Sequence, residues 1–192
     1  MSVNKERKQI IVRASGISIA ANAMLSVLKI VVGWLTGSLA VIADGIDSFG
    51  DVFTSVITLF TARIISQPPD HRHPYGYDKA DTVASKLVAF VMFFAGAQLA
   101  ISTVHNLIGG VERDVPSVYS IIVILLSIAG KRLLAAYLLR TGNRIDSPML
   151  KANARNMQND VVISISVLVC LIMTHVLRMP VLDSVTALAV SL

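Results

Sequence analysis

The sequence has 192 residues, of which 54% are hydrophobic and only 15% are charged, and its mean hydropathy is +0.69. Soluble domains keep about a quarter of their residues charged, so this composition excludes an ordinary soluble domain and indicates a membrane protein. The net charge of +5 is carried largely by Lys and Arg near the ends of apolar segments, and we therefore expect no nucleic-acid partner.

Six apolar segments follow one another along the chain. A helix needs about 20 mostly apolar residues to cross the hydrocarbon core, and the first five segments are long enough, whereas the sixth is too short to span. We therefore expect an all-α membrane protein, a bundle of six transmembrane helices whose last helix is truncated, forming one domain over residues 1–192. The predicted spans are about 11–36, 38–65, 82–108, 117–139 and 148–177, with an incomplete sixth at 181–192.

The distribution of Lys and Arg predicts the orientation of these spans. Basic residues cluster before the first span, around the 66–81 loop and around 140–155, whereas the alternate loops hold only Arg113 and Arg178. Cytoplasmic loops carry the excess of Lys and Arg in membrane proteins. We expect a cytoplasmic N-terminus, cytoplasmic polar loops and a multi-pass protein of the cell membrane.

Three aspartates interrupt the second span, in the stretch ADGIDSFGDV. An ionisable group at this depth costs about 2.5–3.5 kcal/mol on insertion scales and marks a cavity or a partner. Asp47 and Asp51 are four residues apart, so they lie on one face of a helix. Two like charges there repel each other unless a cation lies between them, which predicts half of a divalent-metal site. Asp44 is expected to cap or support this site rather than to bind the ion.

The fifth span repeats the spacing, because Asn156 and Asp160 are also four residues apart in ARNMQNDVV. If the two helices meet, Asp47, Asp51, Asn156 and Asp160 provide four converging oxygen donors, a set that suits a divalent cation. The alternative is that these groups only bind one another and hold the helices together. Lys29 interrupts the first span and is expected to face the bundle interior or to snorkel, with an aspartate as an available partner.

Three stretches together resemble the transmembrane domain of cation diffusion facilitators, which are divalent-metal/proton antiporters. They are LKIVVGWLTGSLAVIADGIDSFGDV (28–52), ISQPPDHRHPYGYDKAD (65–81) and SPMLKANARNMQNDVV (147–162). The resemblance implies a homodimer, metal efflux by alternating access, and a tetrahedral transport site between the second and fifth spans. It also implies a cytoplasmic C-terminal metal-binding domain, which we expect to lie outside residues 1–192.

The fifth-span pair departs from the family pattern. Family members commonly have His or Asp where this chain has Asn156. Zinc binds well to imidazole, so a site of three carboxylates and one amide shifts the expected cargo toward Mn²⁺ or Fe²⁺ rather than Zn²⁺. Co²⁺, Ni²⁺ and Zn²⁺ stay open. Proton coupling would depend on Asp47, Asp51 and Asp160, and no cofactor is expected beyond the transported cation.

The 66–81 loop raises the question of a second, cytoplasmic metal site. Some family members hold zinc there with an Asp and two His; Asp70 and His73 match, but Tyr77 stands in the place of the second His. His71 lies close enough to substitute. We favour ordinary exposed histidines over a weak metal site at Asp70, His71 and His73.

Two other classes of function are alternatives to transport. One is a structural or assembly subunit that has the facilitator fold but transports little itself. The other is an intramembrane aspartyl protease with Asp47 and Asp160 as its catalytic pair. Because the sequence shows no protease signature and no phosphate-binding loop, we expect a secondary transporter rather than an enzyme.

Overall fold

The computed structural model describes residues 2–65, 79–108 and 116–191. Within these ranges the chain forms six α-helices and no strand, which confirms the predicted all-α, six-helix fold. The helices are α1 (Ser2–Thr36), α2 (Leu39–Ile65), α3 (Lys79–Ile108), α4 (Val118–Arg144), α5 (Pro148–Leu177) and α6 (Val181–Ser191). α1 and α4 extend into charged sequence beyond the predicted spans, because hydropathy marks the lipid boundary while helical hydrogen bonding continues past it.

Three of the described helices have the length and composition of membrane spans. Gln9–Thr36, Val118–Arg144 and Pro148–Leu177 are long and apolar enough to cross a membrane, and shorter apolar stretches cover Ala89–His105 and Val181–Val190. These lengths, together with the low overall charge, identify a membrane protein.

The burial pattern of α1 is inverted relative to that of a helix in a soluble protein. Met24 and Trp34 are 75% and 76% exposed, although both are large and apolar. Five polar residues of α1 are buried in the interior: Ser15, Ser18, Asn22, Ser26 and Lys29. Exposed apolar side chains suit a lipid environment, and the buried stripe gives the bundle a polar interior.

Hydrophobic clusters hold α2 and α5 in the same bundle. Val41 of α2 packs with Ile124 of α4 and with Val167 and Leu171 of α5. A second cluster joins Ala14 of α1 to buried residues of α4 and α5: Leu134, Ala135, Leu138, Leu150, Ala154 and Met157. These contacts fix the rotation of α5, so that its polar face turns toward α2.

Polar side chains cap the N-termini of α2 and α5, the two helices that carry the paired polar residues. At the start of α5, the Ser147 hydroxyl accepts a hydrogen bond from the Leu150 amide at 3.5 Å, and Pro148 occupies the first turn. α2 is capped by α6: the Asp183 carboxylate accepts from the Ser38 hydroxyl at 2.6 Å and from the Leu39 amide at 2.7 Å. The carboxylate at this N-terminus complements the helix dipole and fastens α6 to α2.

Two glycines let α1 and α2 approach closely, as expected of small residues in membrane helices. A Cβ added at Gly45 would lie 3.1 Å from the Ile30 amide nitrogen, and one at Gly33 would lie 2.9 Å from the Ile42 amide nitrogen. The Ser26 hydroxyl also donates to the Gly45 carbonyl at 2.9 Å. This close crossing brings Lys29 within reach of α2.

Gly45→Val is expected to destabilise the bundle by about 1–3 kcal/mol, the usual cost of overpacking a tight contact. Its added atoms would push against the α1 backbone, which cannot move aside as a flexible side chain can. Gly16→Val on α1 is the matched control, because a Cβ there meets nothing within 4 Å. Melting temperatures in detergent measure the difference, and equal values for the two variants would refute the close-crossing interpretation.

Candidate metal centre

Three carboxylates from two helices converge inside the bundle. One carboxylate oxygen from each of Asp47, Asp51 and Asp160 lies within 4.8 Å of the others. Asp47 and Asp51 are half-buried on α2, and Asp160 on α5 is only 7% exposed. Negative charges at such distances repel strongly where water is scarce. The arrangement therefore has the charge and the donor atoms of a divalent-cation site.

The fourth predicted ligand, Asn156, lies at the exposed edge of this cluster. Its amide nitrogen donates to Asp51 Oδ1 at 3.3 Å, so the nitrogen rather than the oxygen faces the carboxylates. The Asn156 oxygen would bind a cation only after the amide turns over, which costs this hydrogen bond. The structure thus brings all four predicted residues together, with Asn156 in a different orientation from that of a ligand.

One oxygen of the cluster has no hydrogen-bond donor among the residues that the structure describes. Asp51 Oδ2 is buried and accepts no hydrogen bond from the described residues. A buried carboxylate oxygen without a donor is costly, and carboxylate oxygens are ligands that divalent cations such as Mn²⁺ prefer. A cation bound beside Asp51 would supply a partner for this oxygen.

A lysine that the spacing of the aspartates does not predict lies beside this cluster. The Lys131 ammonium of α4 lies 3.1 Å from Asp160 Oδ2, and the Lys131 side chain is 1% exposed. The signal was available, since Lys131 interrupts the fourth predicted span just as Lys29 interrupts the first. Because ionisable groups inside a membrane usually pair with one another, Lys131 by itself predicts a buried carboxylate partner.

Asp44 belongs to a separate polar cluster on the same face of α2. Its carboxylate lies 2.7 Å from the Lys29 ammonium and accepts from the Ser164 hydroxyl at 2.9 Å. Lys29 also donates to the Ser48 hydroxyl at 3.0 Å. Both charged side chains are almost completely buried, at 0% and 1% exposure. Asp44 is therefore committed to an ion pair that joins α1, α2 and α5, which is a structural task.

A cavity of about 600 Å³ between α2, α3 and α6 reaches Asp47. Its lining is mostly apolar and includes Ile46, Met92, Phe93 and Val190. Such a cavity gives Asp47 an approach from the side of α3 and α6, whereas Asp160 is enclosed by α4 and α5. The second predicted metal site, at Asp70, His71 and His73, lies outside the described residues and stays a prediction.

Comparison with known proteins identifies the family. The profile of the cation efflux transmembrane domain matches residues 15–192. The chain belongs to the cation efflux family, the cation diffusion facilitators. Members of this family are transporters rather than enzymes, which sets aside the protease alternative.

Several relatives align with most of the length of this chain. An uncharacterized transporter of Methanocaldococcus jannaschii is 34% identical over 157 residues, covering 82% of this chain and 55% of the relative. The magnetosome protein MamB of Paramagnetospirillum magneticum is 29% identical, covering 89% and 57%. The manganese efflux system protein MneS of Bacillus subtilis is 29% identical, covering 92% and 60%. The chain thus spans little more than half the length of these relatives.

Asp44→Asn is expected to destabilise the protein by about 3–5 kcal/mol, because it leaves the Lys29 ammonium buried without its counter-charge. The double variant Lys29→Met/Asp44→Asn removes both charges and should recover most of that loss. Thermal unfolding in detergent measures both variants. If Asp44→Asn were as stable as the wild type, or the double variant no more stable than the single one, the structural assignment of this pair would fail.

Proposed function

We propose that this protein exports divalent metal ions across a membrane, and that Asp47, Asp51 and Asp160 bind the ion during transport. The observation that carries the proposal is the convergence of three carboxylates from α2 and α5 inside a bundle of membrane helices. Membership of the cation efflux family supports the same activity. Asn156 would complete the ligand set once its amide turns over.

Mn²⁺ or Fe²⁺ is proposed as the preferred cargo over Zn²⁺. The described ligand set is made of oxygens, which suit hard or borderline cations, and it lacks the imidazole or thiolate that favours zinc. Two relatives from Bacillus subtilis, MneS and MneP, are named manganese efflux system proteins. Because affinity alone rises from Mn²⁺ to Zn²⁺, the preference would depend on geometry and on the supply of each metal.

The proposed mechanism is proton-coupled antiport with alternating access. The ion enters the carboxylate cluster from the cytoplasm, the helices rearrange, and protons take the place of the ion on the far side of the membrane. The acidic groups available for this exchange are Asp47, Asp51 and Asp160. We further propose that the protein works as a homodimer in the cell membrane with its N-terminus in the cytoplasm, as its basic residues favour.

Asp51→Asn and Asp160→Asn should each lower transport by more than ~10-fold, since each keeps the shape of the side chain but removes a charge that binds the ion. Mn²⁺ entry into proteoliposomes that contain a metal-sensitive dye measures the rate. Asp146→Asn is the matched control, because the Asp146 side chain is 89% exposed and pairs with Lys151.

Wild-type rates in both interior variants would refute the proposed binding site. A wild-type protein that transports none of Mn²⁺, Fe²⁺, Co²⁺, Ni²⁺ and Zn²⁺ would instead favour the structural or assembly subunit.

Asn156→His should shift preference from Mn²⁺ toward Zn²⁺, because it supplies the imidazole that zinc prefers. The measurement is uptake of Mn²⁺ in competition with each of Fe²⁺, Co²⁺, Ni²⁺ and Zn²⁺, compared between wild type and variant. Asn156→Gln, which keeps the amide, controls for loss of the hydrogen bond to Asp51. An unchanged order of metals in the histidine variant would show that position 156 does not set selectivity.

A further inference from the structure

Lys131 is the feature of the metal centre that the proposed transport mechanism leaves unexplained. Its ammonium is buried between α4 and α5 and lies 3.1 Å from Asp160 Oδ2. Asp160 is also one of the three carboxylates that converge within 4.8 Å. A positive charge is therefore built in beside the place where a metal ion would bind, although it must repel that ion.

Lys29, the other buried lysine described above, forms an ion pair that differs from the Lys131 pair. Lys29 and Asp44 form an ion pair that two serine hydroxyls complete, and neither residue belongs to the carboxylate cluster. The Lys29 pair is electrically neutral by itself. The Lys131 pair shares its carboxylate with the cluster, so its charge has to be counted with the metal centre.

Counting these charges shows what Lys131 does to the cluster. Three ionised carboxylates carry −3, and the Lys131 ammonium adds +1, which leaves a net charge of −2. One divalent cation cancels that charge completely. Without the lysine, the empty cluster would carry the full charge of its three carboxylates and would attract a divalent ion more strongly.

The metal ion and the Lys131 ammonium would also compete directly for the Asp160 carboxylate. A bound divalent ion lies about 2.0–2.3 Å from carboxylate oxygens, and two cations held so close to one carboxylate repel each other. The ammonium must move away from Asp160 when the ion arrives, and its long flexible stem allows it to return when the ion leaves. Lys131 would thus weaken binding and speed release.

We propose that Lys131 is a tethered cation that competes with the transported metal for Asp160, and so limits how tightly the site holds its cargo. This inference rests on the proposed function, because it concerns the same site. It assigns to α4, which supplies none of the proposed ligands, the residue that tunes affinity and release.

Lys131→Met tests the proposal, because methionine keeps much of the length of the lysine stem and removes the charge. In the full chain reconstituted in proteoliposomes, the concentration of Mn²⁺ at half-maximal transport should fall about tenfold or more. The maximal rate should fall as well, since release becomes slow. Lys131→Arg, which keeps the charge, should bind Mn²⁺ more nearly as the wild type does. Lys151→Met, which removes an exposed lysine paired with Asp146, should change neither quantity.

Titration calorimetry with MnCl₂ on the same proteins gives the affinity independently of transport. Tighter binding in Lys131→Met supports the proposal, whereas wild-type or weaker binding overturns it and indicates a structural ion pair. If Lys131→Met does not fold, Lys131→Gln, which removes the charge but keeps a polar group beside Asp160, takes its place, and tighter binding than in the wild type is again required.

The two proposals fail in different ways. A wild type that binds and transports Mn²⁺, together with a Lys131→Met variant of unchanged affinity, would overturn the role of Lys131 alone. A wild type that neither binds nor transports any divalent ion would overturn the proposed function and this inference with it.

Discussion

Repulsion among Asp47, Asp51 and Asp160 is the constraint around which this bundle is organised. Carboxylates held within 4.8 Å of one another in a membrane interior need positive charge nearby, and among the described residues Lys131 supplies part of it. The remaining negative charge is what a divalent ion or protons would neutralise. A site that cannot neutralise itself is suited to exchanging one cation for another.

Elsewhere in the described interior, charged side chains are paired, so the repulsion between like charges is concentrated at Asp47, Asp51 and Asp160. Lys29 and Asp44 neutralise each other and bind serine hydroxyls, while Asp183 caps α2 and ties α6 to it. Glycines at the α1–α2 crossing let the Lys29 pair form at short range. These satisfied contacts hold α2 firmly, so that the cost of crowding its carboxylates does not separate the helices.

Spacing along the chain predicted a large part of both fold and site, because hydropathy and the i, i+4 rule are local properties. Asp47 with Asp51, and Asn156 with Asp160, share helix faces whatever the bundle does. Which faces meet depends on packing between distant segments. That is why Lys131, Asp183 and the inward-turned amide nitrogen of Asn156 were missed, although an intramembrane lysine is itself a warning of a buried partner.

The location of a bound ion tests the central claim most directly. Crystals of the full-length protein grown in lipid with Mn²⁺ should give one strong anomalous-scattering peak between α2 and α5, at bonding distance from carboxylate oxygens of Asp51 and Asp160. A peak elsewhere in the membrane region, or those two side chains on opposite sides of the bundle with no ion between them, would contradict the account.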